Sequence, residues 1–255
     1  MLIDSHCHLD FSCFDHDRDE VLERCKKLTI ETIVLPGTQA NQWQKQIELC
    51  QIHPQLRFAL GLHPYFLNHF EPAHLVKLTK FLEQYQSKVL AVGEIGLDTY
   101  IEVDWELQKR VFQQQLMIAS EHMLPVILHH RNSHNELIRI LKTTKFTQGG
   151  IVHAFSGSLQ EAQTYIDLGF KIGIGGGITY PRANKTRKTI TQLPLSCLVL
   201  ETDAPDMPLM GKQGQRNSPE YLPKIFESLL ALRKENKQEI LQACSENVLL
   251  SLANL

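Results

Sequence analysis

The sequence predicts an α/β protein built as a single TIM (β/α)8 barrel over residues 1–255. Three observations predict it. Eight short apolar runs alternate with longer stretches of helical spacing along the chain. Each run is brief and mostly apolar, as parallel strands covered on both faces require. The length of 255 residues suits one barrel of roughly 250 residues. An open doubly wound sheet is the alternative architecture. Against it, no GxGxxG follows the first run, and the Gly-rich Gly173–Gly177 leads to no Lys-Ser/Thr pair.

The first strand is Leu2–Ser5, and it runs into His6-Cys7-His8. A helix over about 17–28 leads to the strand Thr32–Leu35, and a helix over about 40–52 to Arg57–Gly61, which ends in Gly61-Leu62-His63-Pro64. A helix over about 72–86 precedes Val89–Gly93, which continues into Glu94-Ile95-Gly96-Leu97-Asp98. The helix Trp105–His122 has the plainest period: Leu107, Val111, Phe112, Gln115, Leu116 and Ala119 recur at three- and four-residue steps. Pro125–Leu128 ends in His129-His130-Arg131 and is followed by a helix over about 133–143. Gly150–Val152 ends in His153-Ala154-Phe155-Ser156-Gly157, then a helix over about 158–168 leads to Lys171–Gly175. A helix over about 182–192 precedes Cys197–Glu201, which runs on through Thr202 and Asp203 to Ala204-Pro205. Helices over about 219–234 and 237–253 finish the chain, the last one capping the barrel. No linker or composition shift divides these units, so one domain is expected.

Composition narrows the function classes. Hydrophobic residues make up 43% and charged residues 21%, and the formal net charge is -2. That balance excludes a protein that coats nucleic acid non-specifically, since phosphate contacts demand a large basic excess. The cysteines at 7, 13, 25, 50, 197 and 244 form no CxxC pair. Cys50, Cys197 and Cys244 read as core fillers. The N-terminus MLIDSHCHLD lacks a signal-peptide pattern, and no apolar run approaches the ~18 residues of a membrane span. A reducing cytoplasmic setting with free thiols is expected, and nothing calls for an obligate protein partner.

The polar residues fall at the strand ends, where barrels of this kind build their active sites. His6 and His8 leave one strand on the same face, so both can reach one ion. His129, His153 and Asp203 recur at the equivalent point of other units. Imidazole-rich sites suit Zn, Mn, Fe or Ni better than all-oxygen sites do. Glu94 follows an apolar run and a glycine, where a carboxylate is costly unless paired or metal-bound. Its two oxygens could bridge two cations in a hydrolytic pair, or it could pair with Arg131. Asp203 could ligate a cation and accept a proton from water. Glu201, two residues earlier, shares its direction and could orient a ligand histidine. His16, His53, His69, His74, His122 and His134 read as solvated, and His130 as structural. Arg182, Lys185, Arg187, Lys188, Lys212 and Arg216 could form a basic rim. Tyr65, Phe66, Tyr100 and Tyr180 could stack on bases.

The segments IDSHCHLD, GLHP, AVGEIGLD, PVILHHR, VHAFSG, ETDAP and RNSPEYL together resemble the TatD family of metal-dependent deoxyribonucleases. They run from residue 3 to about residue 222. The resemblance implies a TIM barrel of the amidohydrolase type. It implies a first metal held by His6, His8, Glu94 and Asp203, and a second held by Glu94, His129 and His153, with Glu94 bridging. Asp203 would be the general base, and Arg131 and His63 would lie near the scissile phosphate. The cofactors would be two divalent ions, drawn from Zn, Mn, Mg, Ni or Fe. The implied reaction is hydrolysis of DNA phosphodiesters, typically from the 3′ end, with DNA or another phosphodiester as a transient partner.

Two other readings stand beside it. The same site could hydrolyse an amide, a lactone or an aminoacyl ester, although no Lys occupies the strand end where Glu94 sits. A non-catalytic metal protein is the other, although closed structural zinc sites usually include clustered Cys.

Overall fold

A computed structural model describes all 255 residues. Its strands are β1 (Leu2–Asp4), β2 (Ile30–Pro36), β3 (Leu56–Leu60), β4 (Val89–Asp98), β5 (Val126–Arg131), β6 (Gly150–Val152), β7 (Phe170–Ile174) and β8 (Leu198–Leu200). They pair in parallel in strict chain order. Ser5 N–H donates to Leu200 O at 3.0 Å and Asp203 N–H to His6 O at 2.9 Å, which draws the ends of β8 and β1 together. The helices are α1 (Arg18–Lys27), α2 (Trp43–Ile52), α3 (Pro72–Gln84), α4 (Trp105–Glu121), α5 (His134–Thr143), α6 (Leu159–Asp167), α7 (Asn184–Gln192), α8 (Leu222–Leu230) and α9 (Lys237–Ser251). The protein is therefore the eight-stranded barrel that the alternation predicted.

Two strands run well past their predicted ends, and β2 is longer than predicted by two residues at its start and one at its end. β4 continues to Asp98 and β5 to Arg131, with Gly96 opposite His129 and Asp98 opposite Arg131. The unbroken apolar pattern stops at Gly93 and Leu128 because one face of each extension carries site residues, while on β4 Ile95 and Leu97 alternate with them and still pack into the core. Gly96 makes this pairing possible: at φ +152°, a Cβ there would stand 2.0 Å from His129 O. The helix predicted over 219–234 is shorter, because Pro219–Tyr221 forms a 3-10 turn before α8.

Apolar packing separates into two layers. The larger cluster fills the space between strands and helices. A smaller one, including Ile3, Val34, Ala59, Ile127, Ile151 and Val199, fills the barrel interior. Val248 and Leu252 join that inner cluster, and Asn247 Nδ2 donates to Leu195 O and Leu198 O at 2.7 and 2.8 Å. The last helix and the residue that follows it thus cap the interior, as predicted.

Buried side-chain amides hold the strand ends. Gln115 accepts from Leu62 N–H at 2.7 Å and donates to Leu62 O at 3.1 Å. Gln108, two turns earlier on α4, accepts from Asp98 N–H at 2.9 Å and donates to Asp98 O at 3.1 Å. Both glutamines are fully packed. They satisfy main-chain groups that the barrel ladder leaves free next to His63 and at the end of β4.

Candidate metal centre

Six of the predicted residues converge at the C-terminal mouth of the barrel, with His63 beside them. The two oxygens of Glu94 divide the cluster. Oε2 lies 3.1 Å from His6 Nε2 and 3.5 Å from His8 Nε2. Oε1 lies 2.9 Å from His129 Nδ1 and 3.4 Å from Nε2 of both His153 and His63. Asp203 Oδ1 completes the first side, 3.5 Å from His6 and 3.8 Å from His8. Asp203 itself lies in the left-handed region at φ +57°, which aspartate tolerates better than most residues.

Two polar contacts reach outward from the cluster. Glu201 Oε1 stands 3.2 Å from His153 Nδ1, as its strand direction suggested. Asp98 Oδ2 stands 3.2 Å from His129 Nε2. Carboxylate contact to the far nitrogen of a ligand histidine is the usual way such rings are oriented. Asp98 is a site residue that the sequence reading passed over. The available signal was its spacing, four residues after Glu94 on a strand of period two.

Burial and charge set the protonation pattern. Burial opposes the Glu94 charge, yet the surrounding His63, His6 and His153 hold its carboxyl well below the usual range. Burial lowers His6 to about 4 and takes His153 well below its ordinary value. Burial also works against His8 and His129, but neighbouring carboxylates outweigh it and raise both to about 9. Burial pushes Asp203 up to about 8 and Glu201 well above its usual range. Without a cation, the cluster therefore retains protons at groups positioned to act as ligands. The Nε2 atoms of His6 and His8 face each other at 3.3 Å, which is unfavourable unless a proton or a cation lies between them. The donor set of imidazoles and carboxylates fits divalent transition metals. Ligating atoms cluster within 4.8 Å in three groups: His6, His8 and Asp203; His6, Glu94 and His153; His63, Glu94 and His129.

A cleft of about 1050 Å³ opens above the cluster. Arg131 is exposed on its wall with the guanidinium 4.8 Å over the Tyr100 ring. It does not pair with Glu94, whose neighbours are the histidines named above.

The chain matches the TatD related DNase family model over residues 3–252. The chain belongs to the TatD family. The uncharacterized metal-dependent hydrolase YjjV of Escherichia coli is 46% identical to it, over 96% of this chain and 95% of that protein. The crystal structure of that TatD homologue superposes with a TM-score of 0.94 at 45% identity, covering 96% and 95% of the two chains. A Salmonella typhimurium relative named 3'-5' ssDNA/RNA exonuclease TatD is 32% identical, over 93% of each chain. A TatD family hydrolase from Entamoeba histolytica shares the fold, with a TM-score of 0.87 at 22% identity over 100% of this chain and 98% of that one. This TatD-family chain is a metal-dependent hydrolase.

Several peripheral expectations need correction. His134 is not a solvated histidine: Nδ1 lies 3.1 Å from Tyr165 OH and Nε2 3.1 Å from Ser156 O. Its ring centroid lies 4.1 Å from that of His130, and both rings line the cleft. The basic rim is only partly realised. Lys185 lines the cleft, but Arg216 is tied to Asp17 and packed over Phe14, and Arg187 donates to Ile178 O. Tyr65, Phe66 and Tyr100 line the cleft. Tyr180 instead donates to Pro208 O at 2.7 Å. All six cysteines are unpaired, and no helix is long and apolar enough to cross a membrane.

Proposed function

We propose that this TatD-family hydrolase cleaves phosphodiester bonds in single-stranded DNA, removing nucleotides from the 3′ end with two divalent cations. The observation that carries the reading is the division of the Glu94 oxygens between two sets of histidines beneath an open cleft. One carboxylate facing two donor sets suits a bridged pair of cations. Residues His6, His8, Glu94 and Asp203 would hold one, and Glu94, His129 and His153 the other. When bound, such cations would supply Lewis acidity, favouring a deprotonated water at neutral pH and offsetting charge on the phosphoryl oxygens. The name of the Salmonella typhimurium relative supports a nucleic-acid substrate. An open cleft also suits catalysis better than a closed structural metal site. The six unpaired thiols support a reducing, cytoplasmic setting.

The chain's own residues divide the remaining work. Asp203 accepts the proton of the attacking water. Arg131 pairs with a substrate phosphate through its planar fork, which Tyr100 holds from below. Tyr65 N–H donates to His63 Nδ1 at 3.1 Å, so the ring proton of neutral His63 sits on Nε2. Burial lowers the His63 pKa and keeps the ring neutral. His63 thus presents a donor beside Glu94, suited to a phosphoryl oxygen.

The test is a panel of metal-loaded assays with Zn, Mn, Mg, Ni and Fe on 5′-labelled single-stranded DNA, duplex DNA, RNA and a simple phosphodiester. A ladder shortening from the 3′ end, abolished by chelation, is expected. Inactivity on every phosphodiester, together with turnover of an amide, lactone or aminoacyl ester, would overturn the reading.

A further inference from the structure

The cleft is larger than the reacting group requires, and its walls differ in chemistry. At about 1050 Å³ it lies at the top of the ~300–1,000 Å³ range of small-ligand sites. Tyr65 and Phe66 follow β3, and Tyr100 follows β4. Tyr65 is 60% exposed and Tyr100 67%. Ser156 follows β6 and Lys185 lies on α7 after β7. Because the eight strands stand in chain order, β3 and β7 lie half a barrel apart, on opposite sides of the metal cluster.

The second wall is built from ordered groups. His134 bonds buried Tyr165 through Nδ1 and the Ser156 carbonyl through Nε2. Both ring nitrogens are engaged, so His134 positions Ser156 and does not itself bind a ligand. Lys185 Nζ stands 3.8 Å from Glu161 Oε2 with its side chain 69% exposed. That carboxylate is held mainly by Ser158, whose N–H and hydroxyl both donate at 2.6 Å. The ammonium therefore remains available to an anion above the cleft.

We propose that the cleft binds a chain of at least two nucleotides in one direction. The base of the nucleotide being released stacks on Tyr65, Phe66 and Tyr100, and the next phosphodiester lies against Lys185 and Ser156. The aromatic wall offers a π face that accepts any unpaired base. The opposite wall offers an ammonium and a hydroxyl, which suit a phosphate oxygen. This inference rests on the phosphodiesterase reading and adds a direction and a minimum length to it.

The experiment compares thymidine oligomers on the metal-loaded enzyme. One is a dinucleotide with the scissile linkage alone. The second is a trinucleotide with one further phosphodiester. The third is that trinucleotide with a neutral methylphosphonate at the further linkage. The charged trinucleotide should exceed the dinucleotide in kcat/KM by about tenfold, the size of one charge-assisted contact. The neutral linkage should remove that advantage, and Lys185→Ala should narrow it similarly. Tyr100→Ala should lower kcat/KM on the dinucleotide and trinucleotide by the same factor. Absence of a trinucleotide advantage, or an advantage that survives either the neutral linkage or Lys185→Ala, would overturn the proposal. Unequal losses on the two oligomers in Tyr100→Ala would overturn the assignment of the aromatic wall. A parent enzyme that cleaves no oligomer and no simple phosphodiester would instead sink the phosphodiesterase reading, and this inference with it.

Discussion

Glu201 Oε1 stands 3.2 Å from His153 Nδ1, and its other oxygen is buried without a partner. Room for that carboxylate comes from Gly173 on β7, where a Cβ would meet Glu201 Oε2 at 2.5 Å. The pair therefore depends on a glycine one strand away from either partner. Glu201→Gln weakens the acceptor, and Gly173→Ala displaces it. Each should lower metal affinity by ~10–100-fold, as for other orienting carboxylates. Metal titration of folded variants is the measurement, and parental affinity in both would show that Glu201 does not orient His153.

Metal uptake should depend on pH with a defined sign. In the metal-free protein His8 and His129 are raised to about 9, above the ordinary 6.5, and Asp203 to about 8. Near neutral pH these groups hold protons that a cation must displace. Binding should release protons, and affinity should climb from pH ~6 to ~9 as ligands deprotonate. The metal-free protein should behave oppositely with respect to the two histidines. Their stabilisation is complete below about 6.5 and is lost as pH rises through about 9. Calorimetric titration in buffers of different ionisation enthalpy reports the protons. Affinity independent of pH would contradict the assignment.

Asp203→Asn tests the proposed base. Asparagine tolerates the left-handed backbone of this position, so the fold should persist. General-base contributions are ~10²–10⁴ in rate, and the variant also loses ligand charge. A fall in kcat of at least ~10³, about 4 kcal/mol, is expected. Single-turnover cleavage, metal content and circular dichroism on one preparation provide the check. A folded, metal-loaded variant within about tenfold of the parent, well short of the base contribution, would remove Asp203 from the role.

Arg131 is exposed and stacked on Tyr100, so its truncation should leave metal content and stability intact. Arg131→Ala should weaken cleavage, and Arg131→Lys should recover only part, because a point charge cannot reproduce the bidentate fork. Loss of metal or a large fall in Tm in Arg131→Ala would point to a structural role instead.

Gln115→Leu removes both partners of the Leu62 main chain, one residue before His63. Each orphaned buried group costs about 1–3 kcal/mol, so Tm should fall. The substrate-facing donor should be misplaced as well, and kcat should fall in protein that remains folded below its lowered Tm. A lowered Tm with parental kcat would confine Gln115 to stability.

The barrel and the metal-capable residues were legible in the linear sequence for a local reason. A strand covered on both faces must be apolar until it leaves the core, so His6, Glu94, His129, His153 and Asp203 stand out where each run stops. Glu201 was legible through the two-residue period of a strand. The order of the strand segments along the chain and the residues that reach the barrel mouth follow from this local pattern alone. The folded barrel is what sets which oxygen of Glu94 faces which histidine, that Asp98 meets His129, and that Arg131 lies on Tyr100 and not on Glu94. It also decided that Arg216 is tied to Asp17 and that His134 is ordered between Tyr165 and Ser156. These contacts join residues from different strand–helix units, often far apart in sequence. Spacing along one strand or helix sets the direction of a side chain, whereas its partner across the barrel is set by register, twist and closure of the whole sheet.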